Sequence, residues 1–298
     1  MSLVVPRHYK LEVPNKYRTR ADYLSNIYFQ SDILQDLNLN DRKIDNIRSA
    51  ISEDAVTWNV LVGMLYESKS YHIPPFRIFG LESFNPILML WNKEINRTKV
   101  SDGLQTSLIQ VLKKVEANPA STSEIDAIIW SSQDQKLVYI EAKLNSRPGE
   151  CPAAKKHQCR MYRETSKKRD NGCSYWGIGK GGNDFHNRFP INYVSKYFDY
   201  ELPVESEEIK SDCSIYYQLM RNIIIGHELA KILSNKTMFT MVALVNEGHY
   251  DTSYYKDFES KLNREIGTEI QTISWQNIRD SLSNNSMVRE YLRGHSEI

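Results

Sequence analysis

Three residues carry the clearest chemical suggestion in the chain: Asp126, Glu141 and Lys143, in the runs Ser123-Glu-Ile-Asp126 and Ile140-Glu-Ala-Lys143. Read as a strand, 136–144 alternates its side chains, so Leu137, Tyr139, Glu141 and Lys143 share one face. Val138, Ile140, Ala142 and Leu144 share the other, which is wholly apolar and must pack on a core. The run 124–130 supplies Asp126, with Ile125, Ala127 and Ile129 on its opposite face. The polar loop 131–135 joins the two runs, which reads as a hairpin that brings Asp126 back beside Glu141. Two carboxylates at neighbouring strand ends form a hard-oxygen site suited to Mg²⁺ or Mn²⁺. Such an ion polarises a phosphoryl oxygen and activates water. A lysine beside it can steady a phosphate or orient the attacking water. The bland alternative is a solvated cross-strand salt bridge, and the apolar neighbours of both acids argue against it.

Other elements must hold those strand ends in place. The spacing predicts short helices over 25–37 and 41–51, the second capped by Asp41. A stronger helix is expected over 53–66, with Ser52 as N-cap and Glu53 and Asp54 in its first turn. Pro74 and Pro75 break the chain. Residues 87–91 suit a buried strand, and Leu104, Leu108, Val111, Leu112 and Val115 give a helical stripe. A long helix over 214–233, a strand over 237–245 and a strand-and-helix unit over 271–282 follow. Between them, 146–212 reads as an irregular insertion with one helix over 153–168. There is no internal repeat. The division expected is an N-terminal helical extension, 1–50, and one α/β domain, 51–298, carrying the insertion.

With these elements in this order, the chain resembles the PD-(D/E)xK nuclease superfamily, on Asp126 and on Glu141-Ala-Lys143. Ile125 stands where the motif's name has proline. The resemblance implies a restriction-endonuclease-like core: a central mixed sheet of four to five strands flanked by helices, with the insertion after the catalytic strand. It implies that Asp126 and Glu141 bind the metal, with the Ala142 carbonyl contributing, and that Lys143 assists hydrolysis. Many members add a glutamate from the first helix, for which Glu53 is the candidate. Glu53 shares a stripe with Val56, Val60 and Met64, a costly direction for a charge unless a cation or donor meets it. A first-turn glutamate favoured by the helix dipole is the plainer account. Some members place a glutamine on the helix after the lysine. Gln218 fits by topology, and Gln158, in a QxxxY arrangement with Tyr162, competes. Homodimers are common among such enzymes, but no interface signal stands out here.

Weaker signals surround this centre. If helical, Lys156, Arg160, Arg163 and Lys167 form one stripe, and with Lys155 they offer a phosphate-contacting face. A solvated helix explains them equally well. Cys151, His157, Cys159 and Cys173 have ligand chemistry for zinc, but no CxxC knuckle is present, so free thiols are the reading. The glycines at 177, 179, 181 and 182 lack a GK[ST] and read as a loop. His227-Glu228 is half of an HExxH motif whose second histidine is replaced by Lys231, which excludes a zincin.

The 298 residues carry a net charge of +1, so no global field draws the protein onto nucleic acid or acidic membranes. That weighs against a coating protein and not against a nuclease, whose carboxylates offset its basic residues. No apolar run approaches the ~20 residues of a membrane span, and 1–10 has no secretory h-region. With four cysteines, a disulfide scaffold is not expected and a cytoplasmic setting is. The reading is a Mg²⁺-dependent nuclease acting on DNA. The alternative is a catalytically inactive nucleic-acid- or partner-binding module on the same scaffold.

Overall fold

The computed structural model describes residues 27–37, 39–47, 52–95, 102–116, 124–152, 173–177, 190–200, 211–249, 251–266 and 268–294. Six strands form one mixed sheet. They are β1 (Ile87–Leu90), β2 (Lys93–Glu94), β3 (Ala127–Ser131), β4 (Lys136–Ala142), β5 (Met238–Val245) and β6 (Glu269–Ser274). Their order is β2-β1-β3-β4-β5-β6. The first four pair antiparallel, whereas β4–β5 and β5–β6 are parallel. The sheet exceeds the expected four to five strands by β2, two residues too short to display any alternation.

Helices cover both faces. On one side lie α1 (Ser31–Asp36), α2 (Asp41–Ile47), α3 (Glu53–Tyr71), α9 (Trp275–Ser281) and α10 (Met287–Gly294). Their apolar residues join Ala127, Ile129, Val138, Ile140 and Ala142 in one core. On the other lie α4 (Asp102–Val115), α5 (Tyr193–Tyr197), the short α6 (Asp212–Ile215), α7 (Tyr217–Leu233) and α8 (Thr252–Ser260). These pack on Ile128, Trp130, Leu137 and Tyr139. Because both faces are covered, β1, β3 and β4 read as apolar runs rather than alternating ones, as buried sheets do. Ile125 precedes β3 and falls in the second core, apart from Ala127 and Ile129, because the strand's alternation does not reach back to it.

The helix expected from Glu53 starts there. Ser52 accepts a hydrogen bond from the Ala55 amide at 3.0 Å, and the helix runs a turn beyond the expected end to Tyr71. The predicted helix over 214–233 is broken at Tyr216 into α6 and α7. Within 146–212, one set of described residues belongs to the core: Tyr175, Trp176, Tyr193, Val194, Tyr197 and Phe198 are buried with α4 and α7. The expected helix over 153–168 lies outside the described residues. Among the described residues no helix is long and apolar enough to cross a membrane.

Candidate active site

The β3–β4 hairpin has the register Ala127↔Ile140, and one step further along the same register sets Asp126 opposite Glu141. A four-residue turn closes it, with Gln135 in the left-handed region and the Asp134 amide donating to Ser131 Oγ. Asp126 is anchored from two sides. Its Oδ2 accepts from the Ala142 amide at 3.0 Å, and the Trp91 amide donates to the Ile125 carbonyl at 3.0 Å. Asn92 Oδ1 accepts from the Ile125 amide. Trp91 and Asn92 form the β1–β2 turn, both at positive φ, so this strained turn holds the segment entering β3.

Lys143 follows β4, and its amide still donates to the Leu244 carbonyl of β5. Its ammonium lies 2.6 Å from Glu141 Oε1, 2.9 Å from Glu53 Oε1, 2.7 Å from the Ala142 carbonyl and 3.6 Å from Asp126 Oδ2. The structure therefore brings together Glu53, Asp126, Glu141, Ala142 and Lys143, one of them from a helix some seventy residues upstream. Glu53 arrives because its N-terminal turn of α3 abuts the end of β4, where its second oxygen accepts from the Leu144 amide. As arranged, no described group of three or more His, Cys, Asp or Glu side chains is set to hold a metal ion. The Lys143 ammonium stands between the carboxylates instead.

The electrostatics follow from burial and mutual proximity. Burial raises Glu53 to about 7, with Lys143 opposing the rise and Asp126 adding to it. Burial also raises Glu141, against the pull of Lys143. Burial works against the charge of Lys143, but Glu141, Asp126 and Glu53 more than offset it and hold the ammonium well above its ordinary range. Lys143 is thus a fixed cation.

Gln218 lines the cleft but does not reach the carboxylates. It is tied to Gly149, whose amide donates to its Oε1 while its own amide donates to the Gly149 carbonyl. The α7 residue that meets the cluster is Asn222, one turn on. It is fully buried, and its Nδ2 donates to Glu141 Oε2 at 2.7 Å. Sequence reasoning missed Asn222 and its neighbour Arg221. Their signal was two polar residues inside the apolar run 219–225, at helical spacing from Gln218. Trp275 was also missed: its indole N–H reaches the Lys143 carbonyl.

The cluster opens into a cleft of about 1210 Å³. Residues of α4 form one wall, Tyr217, Gln218 and Arg221 of α7 another, and Arg42, Lys93 and Lys113 also line it. Near Glu53, Lys43 is bound to Asp54 at 2.8 Å and Glu124 at 3.4 Å, a network that fixes α2 against α3. Lys155, Lys156, Arg160, Arg163, Lys167 and Gln158 lie outside the described residues. So do His157 and Cys159 of the zinc reading, while Cys151 and Cys173 are free and partly buried. Burial pushes the Cys173 thiol up to about 12.

No curated protein and no solved structure matches the chain. A family model does, over residues 96–296, a span that includes Asp126, Glu141, Lys143, Arg221 and Asn222 but not Glu53. With two-thirds of its length matched, the chain belongs to the restriction-endonuclease-like family described as restriction endonuclease associating with ARP.

Proposed function

We propose that this protein is a metal-dependent nuclease of the PD-(D/E)xK type that hydrolyses DNA phosphodiester bonds, using Asp126, Glu141 and Lys143. The observation that carries this reading is the convergence of Glu53, Asp126, Glu141 and the Ala142 carbonyl on one point at the base of an open cleft. The donor set is all oxygen, as Mg²⁺ or Mn²⁺ prefers. The ammonium at their centre is a stand-in cation, so the oxygens already face a positive charge at the right place. Asp126, Glu141 and the Ala142 carbonyl would hold the ion, with Glu53 completing the set. When bound, the ion supplies stabilisation of charge on the phosphoryl group and acidifies water.

The protein's own groups do the rest. The Ala142 amide fixes one Asp126 oxygen, and Asn222 fixes one Glu141 oxygen, so each acid keeps its other oxygen for a cation. Lys143, held charged, turns from the carboxylates towards the phosphate and positions the incoming water. The cleft walls admit a strand of nucleic acid. The family's description adds association with ARP as a further partner in this reading.

A second reading, a DNA-binding scaffold that does not cleave, is favoured by one observation: Lys143 fills the cradle between the acids. End-labelled DNA incubated with Mg²⁺ or Mn²⁺ separates the two. Metal-dependent cleavage by the wild type, lost in Asp126→Ala and Lys143→Ala with the fold retained, supports the nuclease. Undiminished cleavage in both variants sinks the mechanism, and binding without cleavage supports the scaffold.

A further inference from the structure

The helix α7 presents three polar side chains towards the cleft and the sheet, and two of them are committed. Gln218 is bound to Gly149, and Asn222 to Glu141. The third, Arg221, is 9% exposed and lines the cleft beside the carboxylate cluster. Among the described residues its Nε has no hydrogen-bond partner, and its one hydrogen bond is a long contact of 3.4 Å from Nη2 to Asn222 Oδ1. It makes no ion pair with any described carboxylate. Burial works against its charge, and the nearby Tyr175, Glu141, Tyr217 and Glu116 favour it.

A guanidinium carries five donors in a rigid fork, and leaving even one of them, here Nε, unmade in a buried place is costly. Such a group persists where a ligand completes it. The missing partner must be an anion with several acceptor oxygens, must approach through the cleft, and must sit within reach of Asp126 and Glu141. A phosphodiester meets all three conditions, and the guanidinium fork matches two phosphate oxygens in one plane. Lysine offers the charge without the fork.

We propose that Arg221 is the phosphate-holding residue of the cleft, taking the non-bridging oxygens of a backbone phosphate beside the carboxylate cluster. This rests on the nuclease reading and adds a substrate contact to it. Arg42, Lys93 and Lys113, which line the same cleft, then take flanking phosphates, so one strand passes over the floor between α4 and α7.

Binding rather than turnover tests this. A fluorescein-labelled DNA duplex and its single strand are titrated by anisotropy in Ca²⁺ with wild type, Arg221→Gln and Arg221→Lys. Mn²⁺ affinity of each protein is measured separately by calorimetry without DNA. Arg221→Gln is expected to weaken DNA binding about tenfold or more while leaving Mn²⁺ affinity unchanged. Arg221→Lys, which keeps the charge and the packing of the stem, is expected to recover part of the loss. DNA binding by Arg221→Gln equal to wild type would overturn the assignment to Arg221 alone. So would a parallel loss of Mn²⁺ affinity by the same factor, since that marks Arg221 as a prop for Asn222 and Glu141. If the wild type binds neither duplex nor single strand, the nuclease reading falls and this contact with it.

Discussion

Replacing Lys143 by Met should convert the protein into one whose stability depends on divalent metal. In the wild type the ammonium lies within 4 Å of three carboxylates, and Glu141 is almost wholly buried. Removing one partner of a buried ion pair costs about 3–5 kcal/mol, because the remaining charge is left uncompensated. Burial already raises Glu53 and Glu141, so both take up protons when the lysine is gone, which holds the loss near the lower end. About 3 kcal/mol corresponds to a fall in Tm of roughly 6–12 °C for a chain of this order of size. In EDTA, urea or thermal denaturation of Lys143→Met should show that loss. Mg²⁺ at a hundred times its dissociation constant returns about 2.7 kcal/mol, so most of the deficit should vanish on adding metal. The wild type should gain less from the same addition, since the ion must first displace the ammonium. Lys143→Met as stable as wild type in EDTA, or a metal-induced gain no larger than the wild type's, would refute the idea that Lys143 occupies the cation position.

Two further outcomes follow from the packing around α7. His227 stacks on Tyr197 and meets the Phe239 ring edge-on, and burial, reinforced by Lys231, lowers it to about 4. The unfolded chain therefore binds the extra proton between about pH 6.5 and 4, and stability falls across that window by about 2–3 kcal/mol; His227→Phe should flatten this slope in urea titrations at pH 7 and 4.5, and an unchanged slope would assign it to other groups. At Gly226, an added Cβ would stand 2.2 Å from the Phe239 ring, so Gly226→Ala should cost about 1–3 kcal/mol by overpacking, and a neutral effect in equilibrium denaturation would mean that the ring moves aside freely.

How far the sequence reached depends on which interactions are local. The hairpin and its Asp126–Glu141 juxtaposition were legible because two short apolar runs flank one polar loop, which sets how the chain folds back. Ser52 announced the start of α3 through a cap that lies within three residues of its partner. β2 was not legible, since Lys93 and Glu94 are too few to show any period and are paired only because the Trp91–Asn92 turn folds them onto β1. α5 and its aromatic neighbours hid inside a polar, glycine-rich stretch, and their burial against α4 and α7 is a tertiary fact. At the site, Gln218 was chosen because topology placed its helix beside β4. Which face of α7 meets Glu141 depends on the helix's rotation, and that is set by the packing of Leu219, Ile223 and Ile224. The break at Tyr216 resets that helix, and Asn222 rather than Gln218 points at the acid. Glu53 was legible as an apolar-stripe glutamate that needed a cation, and Lys143 is that cation.

The measurement that bears most directly on the proposed metal site is Mn²⁺ calorimetry, with an oligonucleotide present, on the wild type and on the Asp126→Ala, Glu141→Ala double variant. The account predicts a binding isotherm in the wild type that disappears in a folded double variant. An isotherm of equal affinity in both proteins, or no heat in the wild type with DNA bound, would contradict the claim that these two carboxylates hold the ion.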